Sequence, residues 1–553
     1  MDAQSLTIYN LPSAKPNWDS LGIFYITFAA VWTFLVVAGM IFCLYNQRMP
    51  LLRVRNLPLS FAAITLLHMY WIMAQLVYPI GATMPAVAAY DVQYLVMGIV
   101  FPLGIALFHA ANWRFLRVAQ LQRKLLEPEY KRKSRRHGLS KGRSLLARWH
   151  NLLLETKVSA FIGLAMFLQV SACLTMWAVC RKYHPGFGAP GTEITGSNIQ
   201  EQLTNLGRGW EWWPTVLYQL VWMWLVAPYL IWRAWGINDT LGWRTQTIGS
   251  CLSGLHAVPM FLVALYVPAF AKVNMYLGPS QWIHLNTFFI EIFTIFIPVR
   301  QVIKIWSLGK QVSDASEKDD YPWAEPTVYI LRPKQSSDAL TAASEKFSFT
   351  DSIESFNQFD DIFGAHLLTM GALERFLGEH PLHLQTFSAC RDFSGENIMF
   401  LRRVAEWKDT LPQQTGSLLE GQARIDAYNA ALAIYLDLIS PQDADFPLNL
   451  FSKQLLALQA VFEDAARAIR RGPRVDVVLP FDQRSLHSNA ELSPSIEPTV
   501  DSLADIPQGF NSEVFDSALV SIKRLVLDNT WPKFVVEMRS RSASSKCSSG
   551  RSV

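Results

Sequence analysis

Seven long apolar stretches, six of them without a single Asp, Glu, Lys or Arg, constrain this chain more than any other feature: 21–44, 57–80, 92–111, 158–179, 213–232, 248–271 and 282–299. A helix needs about 20 such residues to cross a hydrocarbon slab about 30 Å thick, and each stretch reaches that length or nearly so. The buried helices of a soluble protein also lack charge, but seven in succession at this length do not arise there. Sixteen of the 19 Trp precede residue 310, many at the ends of the runs, where an amphipathic ring settles between hydrocarbon and headgroups. The sequence therefore predicts a seven-helix transmembrane bundle over 21–306.

Loop charge sets the expected orientation. One side receives Arg48, Arg53, Arg55, the 13 basic residues of 112–157, Arg233 and Arg244; the other receives Lys15, Arg181, Lys182, Arg208 and Lys272. The positive-inside rule places the basic-rich side in the cytoplasm, so the 1–20 tail is expected outside and everything after Val299 inside. No apolar signal segment precedes the first run, which is expected to direct insertion itself.

Several local patterns carry less. The cluster Lys131-Arg132-Lys133-Ser134-Arg135-Arg136 reads first as a topology signal and second as a surface for anionic lipid headgroups, with Ser134 as a phosphorylation switch. Gly138-Leu139-Ser140-Lys141-Gly142-Arg143-Ser144 falls one residue short of a phosphate-binding loop, has Arg where Lys is required and follows no strand. The six Cys (43, 173, 180, 251, 390, 547) show no CxxC spacing, which argues against a zinc site or disulfide framework; Cys547 is either free or a palmitoylation site. His380-Pro381-Leu382-His383 lacks partner ligands for a metal. No cofactor, metal or nucleic-acid partner is expected.

Polar groups inside apolar runs are costly when unpaired and mark packing or function. Glu291, near the middle of the seventh run, is the foremost, and His68 and His256 are its natural partners for an intramembrane ligand or switch site. Gln75 and Gln169 read as interhelical packing. The topology is that of a G-protein-coupled receptor without rhodopsin-family marks: Asn112-Trp113-Arg114-Phe115 and Phe296-Ile297-Pro298-Val299 stand where those marks would be, and no mid-run Lys could hold retinal. A seven-span transporter is an alternative, although no internal repeat or paired broken helices are evident.

After a polar linker at 307–364, helical periodicity resumes. Ala372, Leu373, Phe376 and Leu377 form one apolar face; Ile425, Tyr428, Leu432, Tyr435 and Ile439 a second; Leu455, Leu458, Phe462, Ala465 and Ile469 a third; Phe515, Ala518, Ile522 and Leu525 a fourth. Strand-like alternation is absent, so the whole chain is expected to be all-α. Ser394 is placed to cap a helix whose dipole Glu396 complements. A Pro/Ser-rich stretch at about 472–510 is expected to be a disordered insertion, and 541–553 a disordered basic tail.

Three ordered segments carry a family resemblance: Phe393-Ser394-Gly395-Glu396-Asn397-Ile398-Met399-Phe400-Leu401; Ile434-Tyr435-Leu436-Asp437-Leu438-Ile439-Ser440 followed by Phe446-Pro447-Leu448-Asn449-Leu450; and Val514-Phe515-Asp516-Ser517-Ala518 leading into Asn529-Thr530-Trp531-Pro532-Lys533-Phe534. Over 365–540 the chain resembles the regulator of G-protein signalling (RGS) domain. The full architecture is similar to the seven-transmembrane RGS proteins of fungi and plants, nearer the fungal form, as in Leu57-Pro58-Leu59 and His68-Met69-Tyr70-Trp71.

This resemblance implies a plasma-membrane protein with a cytoplasmic GTPase-activating domain rather than an enzyme in its own right. The Gα partner supplies the GTP, Mg²⁺, Gln and Arg of phosphoryl transfer, and an RGS surface binds its switch segments in their hydrolysis-ready arrangement. The residues it nominates for Gα contact are Asp392, Glu396, Asn397, Asn529, Thr530 and Lys533. The family's other contact Asn falls near Gln459, beside the insertion. The alternatives are a receptor or scaffold whose bundle recruits Gα without accelerating it, with membrane lipids and an extracellular ligand as further partners.

Overall fold

A computed structural model describes residues 7–126, 154–317, 349–411, 421–470, 503 and 506–549. The Lys131–Arg136 cluster, the Gly138–Ser144 stretch, most of the 307–364 linker and most of the 472–510 insertion lie outside the described residues, as does the Cys547 side chain. Among the described residues every regular element is a helix. The chain divides into two compact units, one of 1–120 with 133–304 and one of 121–132 with 305–553.

Six helices are long and apolar enough to cross a membrane, all in the first unit except the last four residues of the third: Ser20–Tyr45, Leu57–Thr83, Ala86–Lys124, Ser159–Val179, Ile199–Trp235 and Trp243–Tyr266. Their outward faces carry large apolar side chains, Phe34 at 71% and Phe167 at 67% exposure, a surface that suits hydrocarbon rather than water. Asp19 opens the first helix by accepting from Gly22 N at 2.7 Å. The seventh apolar run, 282–299, lies in a helical stretch of 281–317 that passes through a π-turn at Ile292–Phe296. That stretch is not among the six. It carries Gln281, His284, Asn286, Thr287 and Glu291 before the π-turn and Arg300 and Lys304 after it.

The loops of this unit bury two cations. Lys182 Nζ donates to Glu211 Oε1 at 2.8 Å and to the carbonyls of Asn205 and Arg208. Arg55 donates to Gln246 and to Leu241 O and lies over the Trp243 ring. Burial pushes the Arg55 guanidinium down to about 10, against the opposing pull of Asp239.

The second unit has an aromatic-rich core. Phe356, Phe359, Phe376, Phe387, Trp531 and Phe534 pack at one end, and Trp407, Tyr428, Tyr435, Phe462, Phe510 and Phe515 at the other. Each buried ring with a polar handle has a partner: Trp531 Nε1 donates to Leu367 O at 2.8 Å, Trp407 Nε1 to Ala427 O at 2.9 Å, and Tyr428 OH to Val461 O at 3.0 Å.

Four boundaries differ from the sequence reading. The 307–364 linker is helical at both described ends, to Glu317 and over Phe349–Phe363. Its Val312, Phe356 and Phe359 are core residues, because spacing on one face outweighs the polar average of the segment. The 472–510 insertion is too long at its C-terminal end, since Ile506 and Phe510 are buried in the core. The last helix runs Trp531–Ser549, past the expected tail boundary, with Arg541 paired to Glu537 one turn back. In Ser452–Arg470, Ala466 rather than Ala465 is fully buried, and Ile469 is exposed.

His380 joins two helices of this unit, ending Met370–Glu379 and preceding Pro381. Burial lowers its affinity for a proton, and nearby Glu379 opposes that in part. As pH falls through the unfolded value of about 6.5, the unfolded chain protonates first, so stability falls there until the native group also protonates. The thermal midpoint of the second unit is expected to drop between about pH 7.5 and about pH 5.5, and by less in His380→Asn. An equal drop in both proteins would remove His380 from the account.

Candidate functional site

Two π-turns deliver the resemblance-derived residues. Ser388–Asp392 widens the helix that precedes the 393–401 segment, and Val526–Thr530 widens the helix that precedes Trp531. Such turns add a residue to one helical turn and redirect the side chains that follow. The first ends at Phe393, a non-glycine residue in the left-handed region at φ 50° and ψ 40°. Its ring is buried.

At the meeting point Asp392 is the hub. Its carboxylate accepts from Lys533 Nζ at 2.7 Å, Thr530 Oγ1 at 2.8 Å and Ser394 Oγ at 2.8 Å, and the two hydroxyls lie 3.1 Å apart. The carboxylate is fully buried and the Lys533 ammonium nearly so. Asp392, Thr530 and Lys533 therefore form an internal clamp between segments 138 residues apart. The sequence reading gave Ser394 the role of a side-chain cap; it occupies the cap position, but its hydroxyl is committed to Asp392. The cap donor Gly395 N instead finds Gln122 Oε1 at 3.0 Å, and Gln122 Nε2 donates to Glu396 at 2.8 Å, all within the second unit.

Asn397 and Asn529 complete the set. They are 4% and 9% exposed, and the amide oxygen of each is buried without a hydrogen-bond partner. A buried acceptor left unpaired costs about 1–3 kcal/mol, so native proteins hold few of them and each one asks for a reason. The six nominated residues thus divide by chemistry into a saturated clamp of Asp392, Thr530 and Lys533, two unsatisfied amides, and Glu396, which is tied to Gln122.

A second polar cluster lies in the first unit. Glu291 is fully buried; Trp32 Nε1 donates to its Oε2, and its Oε1 lies 3.0 Å from His68 Nδ1. His68 Nε2 is 3.0 Å from Thr33 Oγ1. About two to three turns away Gln75 Nε2 donates to Gln281 Oε1 at 3.2 Å. Of the two histidines nominated from sequence, only His68 reaches Glu291; no hydrogen bond joins His256 to it, and His256 Nε2 is buried without a partner. Trp32 and Thr33 were not nominated. A usable signal existed for Trp32, because an indole N–H in the middle of an apolar run must find an acceptor.

No protein-family model, no curated protein and no solved structure matches this chain.

Proposed function

We propose that this chain is a seven-span plasma-membrane protein, N-terminus outside, whose cytoplasmic RGS-like bundle binds a heterotrimeric Gα subunit and accelerates its GTP hydrolysis. The observation that carries the reading is the convergence of the 393–401 and 529–534 segments on the Asp392 clamp, beside two buried Asn whose amide oxygens lack partners. In this reading the clamp fixes the geometry of the 393–401 segment, and Asn397 and Asn529 supply acceptors that a partner backbone would satisfy once their side chains turn outward. The bundle adds no group to the phosphoryl transfer itself. It lowers the barrier by binding the switch segments best in their transition-state arrangement. The 281–317 helical stretch serves as the seventh span, with Glu291 shielded by its partners.

Single-turnover GTP hydrolysis by purified Gα, with and without the full chain in nanodiscs, tests the proposal. Faster hydrolysis and tighter binding to the aluminium-fluoride form than to the GDP form are expected; binding without acceleration would favour recruitment alone. Asn397→Ala is expected to lose at least about tenfold of the acceleration, equivalent to about 1.4 kcal/mol of barrier. Because it removes an unsatisfied acceptor, the same variant is expected to unfold no earlier than the parent. Lost acceleration with an unchanged unfolding midpoint supports contact; full acceleration in the variant defeats that role.

A further inference from the structure

The direction of each hydrogen bond around Glu291 fixes where protons sit. Thr33 Oγ1 donates its one proton to Ala29 O at 2.7 Å, so towards His68 Nε2, 3.0 Å away, that oxygen acts as acceptor. His68 Nε2 therefore carries a proton. Its other nitrogen, Nδ1, faces Glu291 Oε1 at 3.0 Å, and two lone pairs would oppose each other there unless a second proton lies between them. Trp32 Nε1, a donor only, occupies Oε2 and leaves Oε1 as the oxygen that shares that proton.

We infer that Glu291 and His68 form an intramembrane proton-binding site that holds one transferable proton and is neutral as a pair. The two forms are a carboxylic acid with a neutral imidazole and a carboxylate with an imidazolium; the proton moves between Oε1 and Nδ1 and no other bond changes. A net charge of either sign at this depth is costly, and neither 20–45 nor 57–80 contains Asp, Glu, Lys or Arg to offset one.

Other titratable groups face elsewhere. Tyr25 OH donates to Tyr276 O, and the Tyr78 hydroxyl to Asp19. Tyr70 packs on His284, their ring centroids 4.1 Å apart, and His109 stacks on Trp222. Arg244, Cys251 and His256, on the helices packed along 281–296, make no bond to the pair; Arg244 is held by Asn238.

Losing the proton has a directional consequence. One N–H would remain for two acceptors, and the carboxylate claims it at Nδ1. Nε2 then becomes an acceptor, and the Thr33 hydroxyl must turn from Ala29 O to meet it. Occupancy by one proton is thus read out in the first helix, at a site that also joins the second helix to the segment entering the Ile292–Phe296 π-turn. The site stands apart from the G-protein reading, since all of these residues belong to the first unit.

Infrared spectra of the full chain in nanodiscs, with nitrogen NMR of labelled histidine assigned by His68→Asn, count the protons. At neutral pH the expected result is a protonated Nε2 and one further proton, seen either as a carboxylic C=O band lost in Glu291→Gln or as a protonated Nδ1. Raising pH is expected to give a single transition at both residues with loss of one proton. Glu291→Gln has the shape and neutrality of the loaded acid and is expected to keep the Nε2–H tautomer while losing that transition. A carboxylate beside a neutral His68 at neutral pH, or an acid beside an imidazolium, overturns the inference. The wild-type spectra decide this even where a variant fails to fold.

Discussion

Asp392→Ala is expected to cost about 3–5 kcal/mol, because it leaves the Lys533 ammonium buried with no counter-charge and strips two hydroxyls of their acceptor. Against the 5–15 kcal/mol typical of a whole domain, that is enough to open the site end of the second unit. Hydrogen exchange should accelerate over 388–397 and 526–534 well before the Trp407 end responds. Lys533→Met is expected to cost less, since Asp392 keeps the Ser394 and Thr530 donors and the methionine refills the space. Equal effects from the two variants would mean that the ion pair is not what holds the segments together.

Trp531→Ala is expected to have a similar or larger effect. Its ring is completely buried against Phe359, Phe376 and Phe534, and its N–H satisfies Leu367 O. Truncating a large core aromatic costs about 3–5 kcal/mol, and the orphaned carbonyl adds to that. Because Trp531 lies between Thr530 and Lys533 in sequence, the clamp should loosen with it. The test is denaturant unfolding followed by both far-UV circular dichroism and exchange at 388–397. Loss of core stability with full protection of 388–397 would show that clamp and core are independent.

Much of the architecture was legible because it follows from composition and spacing. Charge-free runs set six apolar helices, and faces such as Ala372, Leu373, Phe376 and Leu377 predicted core positions that are indeed buried. The Phe349–Phe363 helix was readable too: Ile353, Phe356 and Phe363 recur at helical spacing, but its acidic residues made the segment look like linker. The seventh run was harder, since its polar side chains lower its apolar character while they bond to neighbouring helices.

The site was less legible. Nothing in the sequence distinguishes Asp392 as a buried hub from an acidic loop residue, because its burial depends on Lys533, 141 residues away. The π-turns that aim it leave no periodic trace in a stretch as short as Ser388–Asp392. At Glu291 the choice between His68 and His256 was one of three-dimensional placement, since both lie in apolar runs at unrelated separations.

The clamp also imposes an order on the life of the molecule. Ribosomes deliver Asp392 and Ser394 long before Thr530 and Lys533, so the nascent polypeptide carries the 393–401 segment without two of the three groups that will hold it. Until translation has passed the final aromatic segment, that carboxylate remains hydrated and the 393–401 stretch unanchored. The clamp can therefore close only after Lys533 has emerged, and the 393–401 segment waits for it.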